Sequence, residues 1–317
     1  MGQLNTDFIP DLSALRAVVT GANSGVGFEA ARELLRHGAQ VILACRSPEK
    51  AEAARAVLQR DMPCCRADVR LLDLASLASV REFAAAVEGP LQLLINNAGV
   101  MAIPRRTTQD GFEMQIGTNH LGHFALTGLL LPNVLEAAQQ ARAGSDGWPP
   151  RIVTVSSQAH RIGRLNLTDI NSERSYDKWA AYGQSKLANL LFMHELDARL
   201  RAAGVSALSV ACHPGYAATN LQAVGPQMEG AGFTGWVIDL GNQLLAQSAA
   251  AGALPTLFAA CAPAVHSGEY FGPSGLLGMR GRPTRAGCTK AAKDQASMRR
   301  LWELSEQLTG VRYDFAG

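Results

Sequence analysis

Thr20-Gly21-Ala22-Asn23-Ser24-Gly25-Val26-Gly27, residues 20–27, directly follows an apolar run and directly precedes an amphipathic helical pattern. Glycines here permit positive φ and a close approach of a ligand to the backbone, and the N-terminus of the helix would meet the charge of a pyrophosphate. The spacing is wider than the Gly-x-Gly-x-x-Gly of common dinucleotide-binding loops, so a plain tight turn remains an alternative. The position between strand and helix favours a dinucleotide loop, with these expected contacts: Gly21, Asn23, Ser24, Gly25, Val26 and Gly27.

Outward from this loop, short apolar runs alternate with longer helical patterns, such as Val26 to Arg36, closed by Gly38, and Met298 to Leu308. Several runs are apolar throughout, as expected of parallel strands that helices cover on both faces. The pattern predicts an α/β fold, a single domain over residues 1–317 with a Rossmann-type, doubly wound parallel sheet flanked by helices. The predicted strands are Ala17 to Thr20, Val41 to Ala44, Val69 to Leu72, Leu93 to Ile95, Ile152 to Ser156, Ala207 to Ala211 and Glu269 to Phe271.

One long segment after the sixth predicted strand interrupts the alternation. Residues 216–247 carry scattered aromatic side chains among glycines, which predicts a substrate lid rather than a core element. We expect residues 1–150 to form mainly the cofactor-binding half and residues 151–317 the catalytic and substrate half.

Composition excludes several classes of function. The chain has 317 residues, of which 47% are hydrophobic, and a formal net charge of +2, so nothing global attracts it to nucleic acid. Its six cysteines show no Cys-x-x-Cys pair, which favours a reducing cytoplasm and no bound metal. The start of the sequence has no export signal, and Pro255 and Pro263 interrupt the longest apolar region, so we expect no transmembrane segment.

The residue after the second predicted strand bears on nucleotide preference. An NAD-preferring site would hold an acidic residue there, whereas this chain has Ala44-Cys45-Arg46. A guanidinium suits a 2′-phosphate, so Arg46 favours NADP(H); NAD(H) and a merely solvated arginine are the alternatives. After the third strand, Asp73, followed by Leu74, could accept a hydrogen bond from an adenine amino group or could cap the helix around Ser76 to Ala86.

Tyr182 and Lys186 lie one helical turn apart in Tyr-Gly-Gln-Ser-Lys. A phenol is a weak acid, with a reference pKa of about 10, and an ammonium one turn away would lower that pKa and also reach a ribose. A tyrosine and a lysine at this spacing are common on helix surfaces, and Asn96-Asn97-Ala98-Gly99 by itself is only a turn at a strand end. Neither motif is specific by itself, so the interpretation depends on which other motifs the chain contains.

Six elements in chain order resemble the motif set of the short-chain dehydrogenase/reductase family: the glycine loop, Asn97-Ala98-Gly99, Asn119, Ser157, Tyr182 with Lys186, and Pro214-Gly215. The resemblance implies that Tyr182 donates or accepts a proton, that Lys186 lowers the pKa of Tyr182 and binds the nicotinamide ribose, and that Ser157 orients the substrate oxygen. The adjacent Ser156 is expected to be structural, because side chains alternate along a strand.

The resemblance also assigns roles away from the reacting oxygen. Asn119 would hold the water of a proton relay, and Asn97, Ala98 and Gly99 would lie beside the cofactor. The segment after the sixth strand would wrap the carboxamide of the nicotinamide, through Pro214, Gly215 and Thr219.

Ile152 to His160, the insertion Arg161 to Ala181 and Ser185 to Asn189 are similar to the retinol dehydrogenase branch of that family, which also contains broader carbonyl reductases. Substrates of that branch are mostly apolar carbonyl compounds or alcohols. The sequence lacks the N-terminal membrane anchor of many animal members, so we expect a soluble cytoplasmic enzyme acting on a small hydrophobic substrate. As related enzymes often do, it could form a homo-oligomer.

Two other functions compete with this one. A catalytically silent, NADP-binding redox sensor needs the glycine loop but not Asn119, Ser157, Tyr182 and Lys186, which are all present. A nucleotide-sugar epimerase or dehydratase uses the same tyrosine and lysine, but the region after Gly215 is short for the substrate domain of such enzymes.

Several further residues have a structural interpretation as well as a functional one. His160 could line the substrate pocket or be structural, and Tyr176 and Trp179 could shape the pocket rim or merely pack it. His120 and His123 have an awkward spacing for a metal. A solvated loop is the prediction for the region with Arg280, Arg282 and Arg285, and binding of an acidic substrate is the alternative.

Overall fold

The computed structural model describes residues 6–143, 148–215 and 248–316. A single eight-stranded sheet runs through the molecule in the order β3-β2-β1-β4-β5-β6-β7-β8, and every neighbouring pair is parallel except β7 with β8. The strands are β1 Arg16–Thr20, β2 Gln40–Cys45, β3 Arg66–Leu71, β4 Leu93–Asn96, β5 Arg151–Val155, β6 Leu208–Cys212, β7 Tyr270–Pro273 and β8 Pro283–Arg285. The predicted doubly wound α/β fold is therefore confirmed.

Helices cover both faces of the sheet because its strands are apolar on both sides. Ala17 and Val19 of β1 enter one core and Val18 enters the other. The longer helices are α1 Gly25–Arg36, α2 Pro48–Asp61, α3 Leu77–Ala85, α4 Met114–Leu129, α5 Leu131–Ala143, α6 Lys178–Ala202, α7 Ala249–Cys261 and α8 Gln295–Thr309. Helices α1, α2 and α7 contribute to the first core, and α3 to α6 with α8 contribute to the second.

Strand β8 corrects the prediction of a solvated loop for Arg285, whereas Arg280 and Arg282 lie exposed in the connection between β7 and β8. Its residues pair antiparallel with β7, where Phe271 is opposite Arg285. The Arg285 guanidinium forms an ion pair with Glu269, with 2.6 Å between Nη2 and Oε1. This strand has no apolar run that could reveal it, because it is an edge strand whose side chains are largely exposed.

Two further predictions concern the substrate lid and a membrane-spanning segment. Thr219 and the predicted lid, residues 216–247, lie outside the described residues. Within the described part of the chain, no single helix is long and apolar enough to cross a membrane, although Met114–Leu129 and Leu131–Ala143, bent by 54°, together meet the criteria of length and composition.

Candidate active site

The loops that follow the parallel strands all lie at the same edge of the sheet, because parallel strands share one direction. The order β3-β2-β1-β4-β5-β6 places the switch point, where chain order reverses, between β1 and β4. The sequence-predicted residues emerge there strand by strand: Gly21 to Gly27 after β1, Arg46 after β2, Asp73 and Leu74 after β3, Asn97 to Gly99 after β4, Ser157 after β5, and Pro214 and Gly215 after β6.

The glycine loop packs closely against the Asn97 segment and ends at the N-terminus of α1. Ser24 is the N-cap of α1, yet its side chain makes no capping hydrogen bond, and the first turn of α1 has no acidic residue. A Cβ at Gly27 would lie 2.4 Å from Asn97 Nδ2 and 2.5 Å from the carbonyl oxygen of Gly21, so only glycine fits there. The uncapped N–H groups of the first turn and the positive end of the helix dipole suit a pyrophosphate.

The ends of β1 and β4 are joined by Thr20, a residue whose role the sequence did not reveal. Its buried hydroxyl oxygen accepts hydrogen bonds from the backbone N–H groups of Asn97 and Ala98, both at 2.9 Å. The Asn97 side chain donates in return to the carbonyl oxygen of Thr20, at 2.8 Å. These hydrogen bonds join the glycine loop to the segment that begins at Asn97. We call this set of contacts the joint between β1 and β4.

His123 completes that joint instead of binding a metal. Burial lowers its pKa to about 4, so the imidazole is neutral near pH 7. Its Nδ1 lies 3.1 Å from the carbonyl oxygen of Asn119 and its Nε2 lies 2.9 Å from the Thr20 hydroxyl. Since a carbonyl oxygen only accepts, Nδ1 carries the proton and the Thr20 hydroxyl donates to Nε2. His120, in turn, has its Nε2 2.9 Å from the Ser305 hydroxyl.

Arg46 and Asp73 are the residues predicted to bind the adenosine end of the cofactor. Arg46 directly follows β2 and its side chain is exposed, as contact with a 2′-phosphate requires. The alternative that Asp73 caps α3 is wrong: the N-cap is Ser76, whose hydroxyl accepts from the backbone N–H of Ser79 at 3.3 Å. Asp73 instead accepts from the N–H of Ala75 at 3.0 Å, and its adenine contact stays a prediction.

Ser157 and Tyr182 meet at the end of β5. Ser157 interacts with the Tyr182 hydroxyl in a way that favours the phenolate, and Tyr182 is buried, with only 8% exposed. Burial raises the pKa of Tyr182, and the interaction with Ser157 opposes that change. Ser156 faces elsewhere and donates its hydroxyl hydrogen to the carbonyl oxygen of Lys186 at 2.8 Å, which confirms its structural role.

Lys186 lies beside Ser157 and Tyr182, and its predicted effect on the pKa of Tyr182 stays a prediction. Its Nζ is 5.8 Å from the centre of the Tyr182 ring and donates to the carbonyl oxygen of Val155 at 3.1 Å. Burial lowers the pKa of Lys186 to about 8. The net pKa direction of Tyr182 is upward because burial outweighs the interaction with Ser157.

Asn119 is placed by a π-helical turn, Gly117–Leu121, inside α4. Its side-chain amide donates to the carbonyl oxygen of Val100 and to the Ser185 hydroxyl, both at 2.9 Å, and its Oδ1 accepts from the N–H of Val100 at 2.8 Å. A Cβ at Gly99 would lie 2.8 Å from that Oδ1. Asn119 thus fixes the path of the Gly99 loop against α6, and its relay water stays a prediction.

The remaining histidines near the site are structural. His160 lies under Ser157, with 2.6 Å between its Nδ1 and the carbonyl oxygen of Ser157. His213 accepts at Nδ1 from the N–H of Gly215 at 3.2 Å, which shapes the turn after β6. Among residues 6–143, 148–215 and 248–316, no group of three or more His, Cys, Asp or Glu side chains is placed to hold a metal ion.

Sequence comparisons identify a family model and known proteins that this chain resembles. Residues 16–230 match the family model described as short chain dehydrogenase. Human retinol dehydrogenase 13 is 42% identical over 301 residues, which cover 93% of this chain and 84% of that protein.

Solved structures give the same result. The crystal structure of an uncharacterized protein from Mycobacterium paratuberculosis is similar with a TM-score of 0.77 and 43% identity, covering 96% of this chain and 97% of that one. The RhlG/NADP active-site complex of Pseudomonas aeruginosa shares the fold at 22% identity, with a TM-score of 0.62 over 82% of this chain and 94% of that one. The chain belongs to the short-chain dehydrogenase family of oxidoreductases.

Proposed function

We propose that the protein is an NADP(H)-dependent oxidoreductase that transfers a hydride between the nicotinamide and a hydrophobic alcohol or carbonyl compound, with Tyr182 as general acid and base. The observation that carries this proposal is the cluster of Ser157, Tyr182 and the buried Lys186 at the end of β5. The similarity to retinol dehydrogenase 13 supports an apolar alcohol or aldehyde as substrate class. A cytoplasmic location is part of the proposal.

The chain supplies binding and proton transfer. The N-terminus of α1 would hold the pyrophosphate, Arg46 the 2′-phosphate, and Lys186 the nicotinamide ribose. When bound, the nicotinamide supplies or accepts the hydride. Ser157 would orient the substrate oxygen, and Tyr182, whose raised pKa keeps it protonated at neutral pH, can donate a proton to that oxygen as negative charge develops.

A screen of NADPH and NADH oxidation against apolar aldehydes, ketones and quinones tests the reaction. Tyr182→Phe should retain NADPH binding and lose turnover by about a hundredfold or more, the usual contribution of a positioned acid. Turnover that survives in this variant removes Tyr182 from the role. If NADPH binds and no compound reacts, the silent redox sensor becomes the better explanation.

Cofactor preference has a separate test. Arg46→Ala should weaken NADPH binding by roughly tenfold to a hundredfold, because a charge-assisted contact is worth about 1.5–3 kcal/mol. NADH, which has no 2′-phosphate, should bind nearly as before. Equal losses for the two nucleotides, measured by calorimetric titration, would refute the assignment of Arg46.

A further inference from the structure

Trp179 is a large apolar side chain that remains 47% exposed directly beside the catalytic tyrosine. Its ring centre lies 6.3 Å from that of Tyr182, with the rings nearly perpendicular at 76°. It precedes Tyr182 by three residues on α6, so the two side chains share one helix face. Along that face, the side chains change from exposed at Trp179 to buried at Tyr182 and Lys186.

The backbone that carries this indole is held from two sides. Asp177, the N-cap of α6, accepts hydrogen bonds from the backbone N–H groups of Trp179 at 3.0 Å and Ala180 at 2.7 Å. From α4, Gln115 Nε2 donates to the carbonyl oxygen of Lys178 and to the Tyr176 hydroxyl, both at 2.9 Å.

The hydrogen bonds of Gln115 and Tyr176 also reach the loop that follows Gly99. Gln115 Oε1 accepts from the N–H of Ala102 at 2.8 Å, and the Tyr176 hydroxyl donates to the carbonyl oxygen of Ile103 at 2.8 Å. Tyr176 is therefore an anchor of the insertion and not part of an open rim. An exposed tryptophan on such a fixed segment offers a preformed apolar surface, and covering it costs little conformational entropy.

We propose that the Trp179 indole is the apolar wall of the substrate site and selects carbonyl compounds or alcohols that carry a long hydrocarbon chain. This inference rests on the proposed function, because it requires the substrate oxygen to lie at Ser157 and Tyr182. The chain attached to the reacting carbon extends from the buried end of the α6 face toward its exposed end and covers the indole. Trp179 is a specificity-determining residue, and proton transfer stays with Tyr182.

The test is the dependence of kcat/KM on chain length for straight-chain aldehydes from propanal to decanal with NADPH. A fully buried methylene raises affinity about fourfold, and one that contacts a wall on one side raises it by about half as much on a logarithmic scale, or about twofold. Trp179→Gln and Trp179→Ala should lower the decanal-to-propanal ratio of kcat/KM by at least about tenfold. Trp179→Phe should restore most of that ratio. Leu71→Ala, which removes another exposed apolar side chain at the far edge of the sheet, is the matched control.

A structural role for Trp179 would lower kcat/KM for all aldehydes by the same factor, so parallel chain-length profiles in wild type and Trp179→Gln overturn the inference. Failure of the proposed function has a different signature: no aldehyde reacts with the wild-type protein, or turnover survives Tyr182→Phe. In that event, calorimetric titration of the NADP⁺-saturated protein with decanol still decides. Weaker decanol binding in Trp179→Gln than in wild type supports the wall, and equal binding refutes it.

Discussion

Lys186→Met should stabilise the unliganded protein at neutral pH although it removes a residue of the active site. Burial lowers the pKa of Lys186 from its usual 10.5 to about 8. The folded protein therefore binds the proton of this ammonium more weakly than the unfolded chain does. Methionine has a similar length and no charge. Active sites often contain groups that are retained for function at a cost in stability.

The expected magnitude follows from that pKa. A tenfold difference in proton affinity corresponds to about 1.4 kcal/mol, so the buried ammonium lowers the free energy of unfolding by about 3 kcal/mol at pH 7. The variant also loses the hydrogen bond from Nζ to the carbonyl oxygen of Val155, which contributes about 1 kcal/mol. The net gain at pH 7 is about 2 kcal/mol.

The pH dependence gives this gain a sign that can be checked. Between pH 8 and 10.5 the unfolded chain still binds the lysine proton and the folded protein has released it, so wild-type stability rises with pH. Near pH 10 only about 1 kcal/mol of the burial cost remains, and the lost hydrogen bond offsets it. The advantage of Lys186→Met should therefore disappear between pH 7 and pH 10.

Urea-induced unfolding of the two proteins without nucleotide, at a series of pH values, measures this difference directly. Groups that titrate in both proteins cancel in the comparison. Lys50→Met, an exposed change on α2, is the matched control and should run parallel to wild type. A variant that is no more stable than wild type at pH 7, or whose advantage does not change with pH, would refute the assignment of a destabilised ammonium.

Three further predictions concern the frame of the site. Gly27→Ala should weaken NADPH binding more than tenfold and cost about 1–3 kcal/mol of stability, since its Cβ would lie 2.4 Å from Asn97 Nδ2; calorimetric titration and urea unfolding check both. Thr20→Val should cost about 2–4 kcal/mol in urea unfolding, because the N–H groups of Asn97 and Ala98 lose their acceptor, and unchanged stability would contradict the joint between β1 and β4. Ser157→Ala should lose about a hundredfold or more in turnover and about 1 kcal/mol of stability, because its hydroxyl accepts from the N–H of Ala159, whereas Ser156→Ala should lose about 1 kcal/mol with little change in turnover.

Much of the fold was readable because it depends on local pattern. Runs apolar on both faces identified β1, β2, β4, β5 and β6 within one or two residues, and the glycine loop identified the start of α1. The spacing of Tyr182 and Lys186 placed both on one side of α6. The third strand was predicted too late, at Val69 to Leu72 instead of Arg66–Leu71, because charged residues occupy its first half.

Other features depend on groups that are distant in sequence, and only the tertiary structure decided them. Strand β8 exists through backbone pairing with β7, and Ser76 rather than Asp73 caps α3. The joint of Thr20, Asn97 and His123 links residues up to 103 positions apart. The pKa directions of Tyr182 and Lys186 depend on the burial of both side chains in the folded protein. Sequence spacing determines which side chains share a helix or strand face, whereas burial and long-range hydrogen bonding arise only when separate elements pack together.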